Sequence, residues 1–347
     1  MSDTAQIWLP EAKSTQSCGA SLARTIYDLP VTVLLSGELG AGKTTFLQGF
    51  ARGLDIAGHI TSPTFALEQR YPLTHHSSLI THHQSEQHEF IHTDLYRLTA
   101  RQAQELLRST DDFRGIRCIE WPERAERAWD EPTIAIHLSE ENDGRRCIVA
   151  FKDAPLPTRS MIEQWRKEFH LPLHIAAHCD AVADFAEKLS GTLSDRRTIV
   201  RKQLLRRSAE MHDLFRFLDF RPGGHTNDNA ASLEETATWE EVRKRYPDLR
   251  HEPACARFLQ EQGFDAVAAV VAVHGLTLPS PPRRTVEQQL LFYADKRLRI
   301  DEVVSLDERF ADFRKRYGQG KQSEEHHIWY REALSVEAEL FPDGCPL

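Results

Sequence analysis

The stretch VTVLLSGELGAGKTTF, residues 31–46, indicates the fold of the first part of the chain. A short apolar run at 31–37 ends in glycine, as a buried strand entering a turn does, and residues 44–54 then have the pattern of a helix. Between the two, residues 37–44 fit G-x-x-x-x-G-K-[ST] in full. A chance glycine-rich turn is the alternative, but the strand before the loop and the helix after it favour a phosphate-binding loop.

The residues of this loop predict a site for a nucleoside triphosphate. Glycines let the backbone wrap closely around phosphate, so successive N–H groups and the helix N-terminus point at the anion. Lys43 would reach the β- and γ-phosphates, and the Thr44 hydroxyl would hold Mg²⁺. Mg²⁺ needs further oxygen ligands, and Asp94 and Glu120 are the candidates. The alternative for these two is that Asp94 caps a helix and that Glu120 is solvated.

Further strand patterns place the loop in an α/β domain with a mostly parallel sheet, predicted over residues 1–151. IRCIEW at 116–121 has the pattern of a second buried strand. The apolar runs at 133–139 and 145–151 flank Asn142-Asp143-Gly144, which is a strong hairpin signal. Strands that alternate with helices indicate a mostly parallel sheet, here with a hairpin appended.

The second part of the chain has a different pattern of predicted secondary structure. Residues 152–165, which include two prolines at 155 and 157, are predicted to be a linker. Over 166–347 strand patterns nearly vanish, and we expect an all-α domain. Helical periodicity is strongest around 174–190, 197–217, 251–272, 284–299 and 327–340.

Composition limits the class of protein. The chain has 347 residues, of which 40% are hydrophobic and 27% charged, and these proportions indicate a globular two-domain protein. No apolar run approaches the ~20 residues of a membrane span, and no signal peptide is visible, so we expect no membrane association. Six scattered cysteines without a CxxC pair predict a reduced, cytoplasmic protein. The net charge of −9 argues against direct binding of nucleic acid through charge alone.

Four motifs carry a family resemblance. GELGAGKTTF (37–46), TSPTFALEQRY (61–71), HTDLYRL (92–98) and IEWPE (119–123), in this order, resemble the bacterial ATPase subunit, TsaE, of the machinery that makes threonylcarbamoyladenosine on tRNA. The resemblance covers about residues 10–150. It implies Mg²⁺ held by Thr44, Asp94 and Glu120, with Lys43, Asp94 and Glu120 catalytic. It implies ATP binding by Gly37, Glu38, Gly40, Ala41, Gly42, Lys43, Thr44 and Thr45, with Thr15 near the nucleotide because Thr15 and Gly19 fit the family's early T-x-x-x-G.

The same resemblance implies partners. The family's ATPase works in a complex with the proteins that perform carbamoyl transfer, and tRNA is reached through those proteins. A switch-like loop at Ser62-Pro63-Thr64 and the functional tryptophan Trp121 are implied to couple to them; alternatively, Trp121 simply packs a core. The chain departs from the family in a longer, histidine-rich segment at 75–92, which we interpret as a solvated surface loop rather than a metal site.

Histidines and aspartates mark the second part. His178, the pair His212-Asp213, His251, His274 and Asp295 all lie in helical surroundings. Each histidine alone is more often packed in a core than bound to a metal. Together, the order H…HD…H…H…D and the stretch YADKRLRIDEVVSLDERF (293–310) resemble the HD-domain metal-dependent phosphohydrolases, over about residues 170–318.

This second resemblance implies a metal site and a reaction. The implied ligands are His178, His212, Asp213 and Asp295, with His251 and His274 completing a two-metal site or contacting phosphate. His212 and Asp213 are the implied catalytic pair, and a divalent ion such as Mn or Fe would promote hydrolysis of a nucleotide or another phosphate ester. Further basic side chains either bind the substrate phosphate or form a solvated face, and these are Arg216, Lys296 and Arg297. His174, one helical turn before His178, is not expected to bind the metal.

The leading hypothesis is therefore an ATPase for tRNA modification fused to a phosphohydrolase. In one alternative, the helical domain binds a nucleotide without turnover and regulates the ATPase. In another, the first domain is a small-molecule kinase, although HTDLYRL and IEWPE have no required place in a kinase.

Overall fold

A computed structural model describes residues 3–58, 60–63, 66–73, 88–130, 132–220, 231–317 and 323–345. The chain forms two compact units. The first unit is Met1–Ala154 together with Leu193–Lys202, and the second unit is Pro155–Thr192 together with Gln203–Leu347. Among the described residues, no helix is both long enough and apolar enough to cross a membrane.

The first unit is an α/β domain built on a seven-stranded sheet. Its strands are β1 (Asp3–Leu9), β2 (Val31–Ser36), β3 (Glu68–Pro72), β4 (Glu89–Asp94), β5 (Gly115–Glu120), β6 (Thr133–Glu141) and β7 (Gly144–Phe151). Its helices are α1 (Ala12–Leu22), α2 (Lys43–Gly53) and α3 (Ala100–Arg108). The strand order is β1-β7-β6-β2-β5-β4-β3. The pairs β2–β5, β2–β6 and β4–β5 are parallel, while β7 and β3 pair antiparallel with their neighbours, so a parallel centre with an added hairpin is confirmed.

Both faces of the sheet are buried, which explains the continuous apolar run of β2. Val33 and Leu35 pack into the core that also contains Phe46 and Phe50 of α2. Leu34 points the other way and packs in a second core with Leu107 of α3. Successive side chains of a strand alternate between faces, so a strand covered on both sides needs apolar residues at every position.

Glycines allow α1 and α2 to approach each other closely. A Cβ on Gly19 of α1 would lie 2.1 Å from the Phe46 carbonyl oxygen, and one on Gly49 of α2 would lie 2.0 Å from the Gln16 carbonyl oxygen. No real Cβ tolerates such contacts, so both positions require glycine. This packing explains Gly19 of the T-x-x-x-G pattern as a residue that seats α1 against α2, the helix that follows the loop.

The boundary between the two units differs from the predicted domain limits 1–151, 152–165 and 166–347. The predicted linker is helical from residue 159 onward, because the Thr158 side chain accepts the Met161 N–H at 3.3 Å and caps a helix there. Residues 193–202 belong to the first unit instead of the second. Their buried Arg201 donates two hydrogen bonds to the Asp153 carboxylate, at 3.1 and 2.7 Å, and a third to the Thr25 carbonyl.

The second unit is helical. Its helices are α4 (Arg159–Glu168), α5 (Leu173–Asp195), α6 (Lys202–Met211), α7 (Leu233–Arg245), α8 (His251–Glu261), α9 (Asp265–Val271), α10 (Val286–Lys296), α11 (Leu306–Tyr317) and α12 (Glu324–Leu340). The end of α5 and the first residue of α6 fall in the segment 193–202 that is counted with the first unit. A short pair of strands, β8 (Leu298–Arg299) and β9 (Glu302–Val303), follows α10. The predicted helix over 197–217 is confined to α6. The sequence patterns had not indicated α4, α7 and α11, which are short or strongly charged helices.

Helix α10 runs through the interior of the second unit. Every residue from Val286 to Lys296 is buried, including the polar Glu287 and Gln289. A helix that is enclosed on all sides forms the centre of its core. Asp295, near the end of α10, is therefore carried into the interior of the unit by its helix.

Candidate functional site

The loop after β2 has backbone conformations that only glycine adopts readily. Gly37, Gly40 and Gly42 have φ angles of 133°, 87° and 98°. A Cβ on Gly37 would also meet the Leu138 carbonyl oxygen at 2.1 Å. These glycines turn the chain sharply from β2 into α2 and leave the N-terminus of α2 open.

Lys43 is the first residue of α2 and folds back over the loop. Its Nζ donates to the carbonyl oxygens of Gly37 at 2.8 Å and Glu38 at 2.9 Å. The same Nζ lies 3.8 Å from the centre of the Trp121 ring. Burial lowers the pKa of Lys43 below its usual range, and the nearby carboxylates of Glu120, Glu123 and Asp94 act in the opposite direction.

Oxygen side chains gather at the carboxyl ends of β4 and β5. Asp94 and Glu120 are register partners on these adjacent parallel strands. The Thr44 hydroxyl donates to Glu120 Oε1 at 2.8 Å. The Ser62 hydroxyl donates to Asp94 Oδ2 at 3.2 Å. The structure thus brings Thr44, Asp94 and Glu120 together, and a hydroxyl with two carboxylates is the oxygen-rich donor set that Mg²⁺ prefers.

These residues share one cavity of about 380 Å³. Its lining is Leu39, Gly40, Gly42, Lys43, Thr44, Thr45, Ser62, Asp94, Tyr96, Arg97, Glu120 and Trp121. The sequence patterns assign no role to Leu39, Tyr96 or Arg97, although Tyr96 and Arg97 belong to the HTDLYRL motif that indicates the site. Gly37, Glu38 and Ala41 form the loop behind the lining residues.

Among the described residues, Thr15 and Pro63 lie near the cavity without lining it. Thr15 is buried beside Gly42, with its methyl group 3.6 Å from the position of a Cβ there, but its hydroxyl lies 3.4 Å from the Glu11 carbonyl of its own helix. Pro63 is buried next to Ser62 and does not line the cavity. Thr64 lies outside the described residues, and so do the histidines at 75, 76, 82 and 83 of the segment interpreted as a surface loop. The end of that segment, 75–92, is not a loop, because β4 begins at Glu89.

Trp121 lines the cavity with its backbone in an unusual conformation. Its φ of 61° and ψ of 50° place it in the left-handed region, directly after β5. Its ring centre lies 4.8 Å from that of Tyr96. Trp121 therefore contacts both the lysine of the loop and the HTDLYRL segment, and it packs against the apolar core beneath them.

In the second unit, four histidine rings are fixed by their Nδ1 atoms. The Nδ1 atoms of His178, His212 and His274 donate to the carbonyl oxygens of Ile300, Ala209 and Val271 at 2.7, 2.8 and 2.7 Å. The Nδ1 of His251 donates to Asp219 Oδ2 at 2.7 Å. Because an outer acceptor holds each Nδ1–H, the four Nε2 atoms are left for the interior, which is the usual arrangement of histidines that bind a metal.

The four Nε2 atoms converge on two carboxylates. His178 and His212 approach Asp295 Oδ1 at 3.0 and 3.8 Å. His212 also lies 3.8 Å from Asp213 Oδ2. His251 and His274 approach the other oxygen, Asp213 Oδ1, at 3.1 and 3.6 Å. All six predicted ligands are thus brought together, and the two oxygens of Asp213 face different histidines.

The protonation of this cluster follows from burial and charge. Burial lowers the pKa of His212 to about 4, so this ring is neutral, and its Nε2 is buried without a hydrogen-bond partner in the described part of the chain. Burial also opposes the charging of His251, but the carboxylates of Asp213 and Asp219 outweigh it and raise the pKa to about 9. A buried imidazole lone pair that lacks a proton donor is the kind of atom that a metal ion satisfies.

Basic side chains border the cluster. Lys296 hydrogen-bonds to Asp295 and donates to the His274 carbonyl at 3.2 Å, and Arg216 lies 3.3 Å from His251 Nε2. Arg297 instead donates to Tyr293 and to the Val304 carbonyl, away from the histidines. The sequence pattern does not indicate Asp219, which accepts from His251, because a single aspartate at the end of the short 3₁₀ turn Arg216–Asp219 carries no recognisable signal. His174 is outside the groups that could hold a metal.

Comparison with known proteins concerns the first unit. The family described as threonylcarbamoyl adenosine biosynthesis protein TsaE matches residues 9–148. A relative named tRNA threonylcarbamoyladenosine biosynthesis protein TsaE from Synechocystis sp. is 36% identical over 124 residues, which are 34% of this chain and 71% of that protein. One of the same name from Treponema pallidum is 36% identical over 143 residues, which are 40% of this chain and 93% of that protein. The crystal structure of Bacillus subtilis YdiB aligns with a TM-score of 0.33 and 22% identity over 44% of this chain and 87% of its own.

Proposed function

The chain belongs to the TsaE family, and from this premise we propose that its first unit hydrolyses ATP as a subunit of the machinery that makes threonylcarbamoyladenosine on tRNA. The observation that carries the proposal is a single cavity that combines the glycine loop, Lys43 and the oxygens of Thr44, Asp94 and Glu120. The loop N–H groups and Lys43 bind the phosphates. The partners are the other proteins of the transfer complex, and tRNA is reached through them.

The oxygen donors suit Mg²⁺, with Thr44, Asp94 and Glu120 as the residues that would hold it. Glu120 accepts the proton of the Thr44 hydroxyl at 2.8 Å, so the lone pairs of that hydroxyl are free to face the cavity. Mg²⁺ bound there would neutralise charge on the β- and γ-phosphate oxygens. Lys43 leaves its carbonyl partners and the Trp121 ring when it turns to the phosphates, so Trp121 reports on nucleotide binding.

The nucleotide site is coupled to a partner protein through the segment Ser62-Pro63 and through Trp121. Ser62 is exposed and donates to Asp94, and Trp121 contacts Lys43. A nucleotide that changes the positions of Asp94 and Lys43 therefore changes this surface, on which a partner protein can act.

ATP turnover by the full chain tests the proposal. We expect Mg²⁺-dependent ADP production that rises when the carbamoyl-transfer proteins are added, and that Lys43→Ala abolishes. Lys43→Ala removes the side-chain contact to the phosphates while it leaves the loop glycines in place. ADP production that depends on a metabolite acceptor, and that the transfer proteins do not change, would instead support the small-molecule kinase.

For the second unit we propose a metal-dependent phosphohydrolase of the HD type, acting on a nucleotide or another phosphate ester. The proposal is supported by the four imidazoles whose Nδ1 atoms are bound outward and whose Nε2 atoms face Asp213 and Asp295. Mn, Fe or a similar divalent ion suits this mixture of imidazole and carboxylate ligands. Such an ion supplies positive charge opposite the phosphoryl oxygens and lowers the pKa of a water molecule.

The residues form two ligand groups that share His212. His178, His212 and Asp295 form one group, and His212, Asp213 and His274 form the other. His251 approaches the second group through Asp213 Oδ1 at 3.1 Å. Lys296 fixes Asp295 through its hydrogen bond. Arg216, beside His251, is placed to receive a substrate phosphate.

Metal content and phosphodiester cleavage distinguish catalysis from regulation. The full chain carrying Lys43→Ala, which silences the first unit, is assayed for bound Mn and Fe and for hydrolysis of bis(p-nitrophenyl) phosphate and a panel of nucleotides. We expect bound metal and turnover that His212→Asn removes. Metal-free protein that binds a nucleotide without cleaving it would support the regulatory alternative.

A further inference from the structure

His92 is a buried histidine that contacts the carboxylate of Glu120, which lines the nucleotide cavity. It lies on β4, two residues before Asp94, and its exposed fraction is 0%. Its Nε2 lies 3.0 Å from Glu120 Oε1 on the adjacent strand β5. The same oxygen accepts the Thr44 hydroxyl at 2.8 Å. One carboxylate oxygen thus lies within hydrogen-bond distance of both Thr44 and His92.

The chemistry of the pair fixes the tautomer of the ring. An ionised carboxylate can only accept, so the proton of a neutral His92 sits on Nε2. The other ring nitrogen, Nδ1, is buried without a hydrogen-bond partner among the described residues. The imidazole therefore has Glu120 as its hydrogen-bond partner, which a residue needed only for packing would not require.

We propose that His92 is a positioning residue that holds Glu120 in the orientation that serves Mg²⁺ and nucleotide. The inference rests on the proposed function of the first unit. A glutamate side chain samples several rotamers, and a donor behind it restricts the carboxylate to the one in which Oε1 stays against Thr44. His92 acts through Glu120 and does not line the cavity itself.

Three variants of the full chain separate positioning from packing. His92→Leu removes the donor, His92→Gln replaces the imidazole Nε2–H with an amide donor, and Thr93→Val is the matched control. Thr93 is adjacent on β4, is equally buried and points to the opposite face, and its hydroxyl has no hydrogen-bond partner in the described part of the chain.

The affinity for a fluorescent ADP is measured with and without Mg²⁺, together with ATP turnover. We expect His92→Leu to reduce the Mg²⁺-dependent gain in affinity and kcat by ~10–100-fold, as is typical when an outer partner of a metal ligand is lost, while affinity without Mg²⁺ changes by less than about twofold. His92→Gln should recover most of the loss, and Thr93→Val should match the unmodified protein.

The ring itself gives an independent readout in metal-free protein. Two-bond ¹H–¹⁵N spectra of the histidine side chains, assigned by the signal that His92→Gln removes, should show the Nε2–H tautomer. An Nδ1–H tautomer, a His92→Gln variant no better than His92→Leu, or equal losses with and without Mg²⁺ would each overturn the proposal. Absence of Mg²⁺-dependent nucleotide binding in the unmodified chain would instead refute the function on which it rests.

Discussion

Asp219 offers the sharpest test of metal binding by the histidine cluster, because it hydrogen-bonds to His251 without being one of the predicted ligands. Its Oδ2 accepts the Nδ1–H of His251 at 2.7 Å, and the opposite ring atom, Nε2, faces Asp213 at 3.1 Å. Asp219→Ala removes the acceptor, whereas Asp219→Asn keeps an acceptor oxygen and removes the charge. Both variants leave all six predicted ligands in place.

The size of the effect follows from the surroundings of the pair. A hydrogen bond to a charged group contributes about 1.5–3 kcal/mol, which corresponds to roughly 10–150-fold in a binding constant. The Asp219 side chain is 20% exposed, so solvent screens part of this interaction. Arg216 and Arg250 lie 3.5 Å from the same carboxylate, and the loss of its charge leaves their repulsion of a cation uncompensated. We expect Mn²⁺ to bind ~30-fold more weakly in Asp219→Ala and ~5–10-fold more weakly in Asp219→Asn.

Isothermal titration of the full chain with Mn²⁺, with metal content as a second readout, measures this change. Asp184→Asn is the control, since it removes the same charge from an exposed ion pair with Arg206 on the surface of the second unit. Unchanged Mn²⁺ affinity in Asp219→Ala, or an equal loss in Asp184→Asn, would refute the reasoning that the outer hydrogen bond orients a metal ligand.

Four further predictions concern stability and pH. Gly19→Ala should destabilise the first unit by about 1–3 kcal/mol in urea unfolding, because its Cβ would meet the Phe46 carbonyl at 2.1 Å, whereas Gly191→Ala, in open space, should not. Arg201→Met leaves Asp153 unpaired and should cost about 3–5 kcal/mol by the same measurement. An effect as small as that of Arg101→Met, which breaks a solvent-exposed pair with Glu105, would contradict the burial of this pair. Because the pKa of His251 is raised to about 9, metal uptake must displace its proton, so Mn²⁺ affinity should rise from pH 7 towards 9 and then level off. Calorimetry in buffers of different ionisation enthalpy would detect that proton. In metal-free protein, the stability contributed by this protonated ring is fully present below about pH 6.5 and should be lost as pH rises through about 9.

The sequence was informative wherever residues that act together are also adjacent in the chain. The strand, glycine loop and helix over 31–54 lie within one continuous stretch, and β2, the loop and α2 occur where the pattern predicts them. The hairpin at β6 and β7 is likewise encoded by its own turn residues. The helices α4, α7 and α11 were missed, since their charged composition weakens the apolar periodicity on which the prediction depends.

Contacts between distant segments depend on the tertiary structure. Only the pairing of β4 with β5 places His92 behind Glu120, and only the packing of the second unit brings Asp219 to His251, 32 residues away. The segment 193–202 joined the first unit because Arg201 finds its carboxylate at Asp153, 48 residues earlier. Local patterns follow from backbone geometry and turn chemistry, which a short stretch carries within itself. The direction in which a distant side chain points depends on how the whole core packs, and no single stretch contains that information.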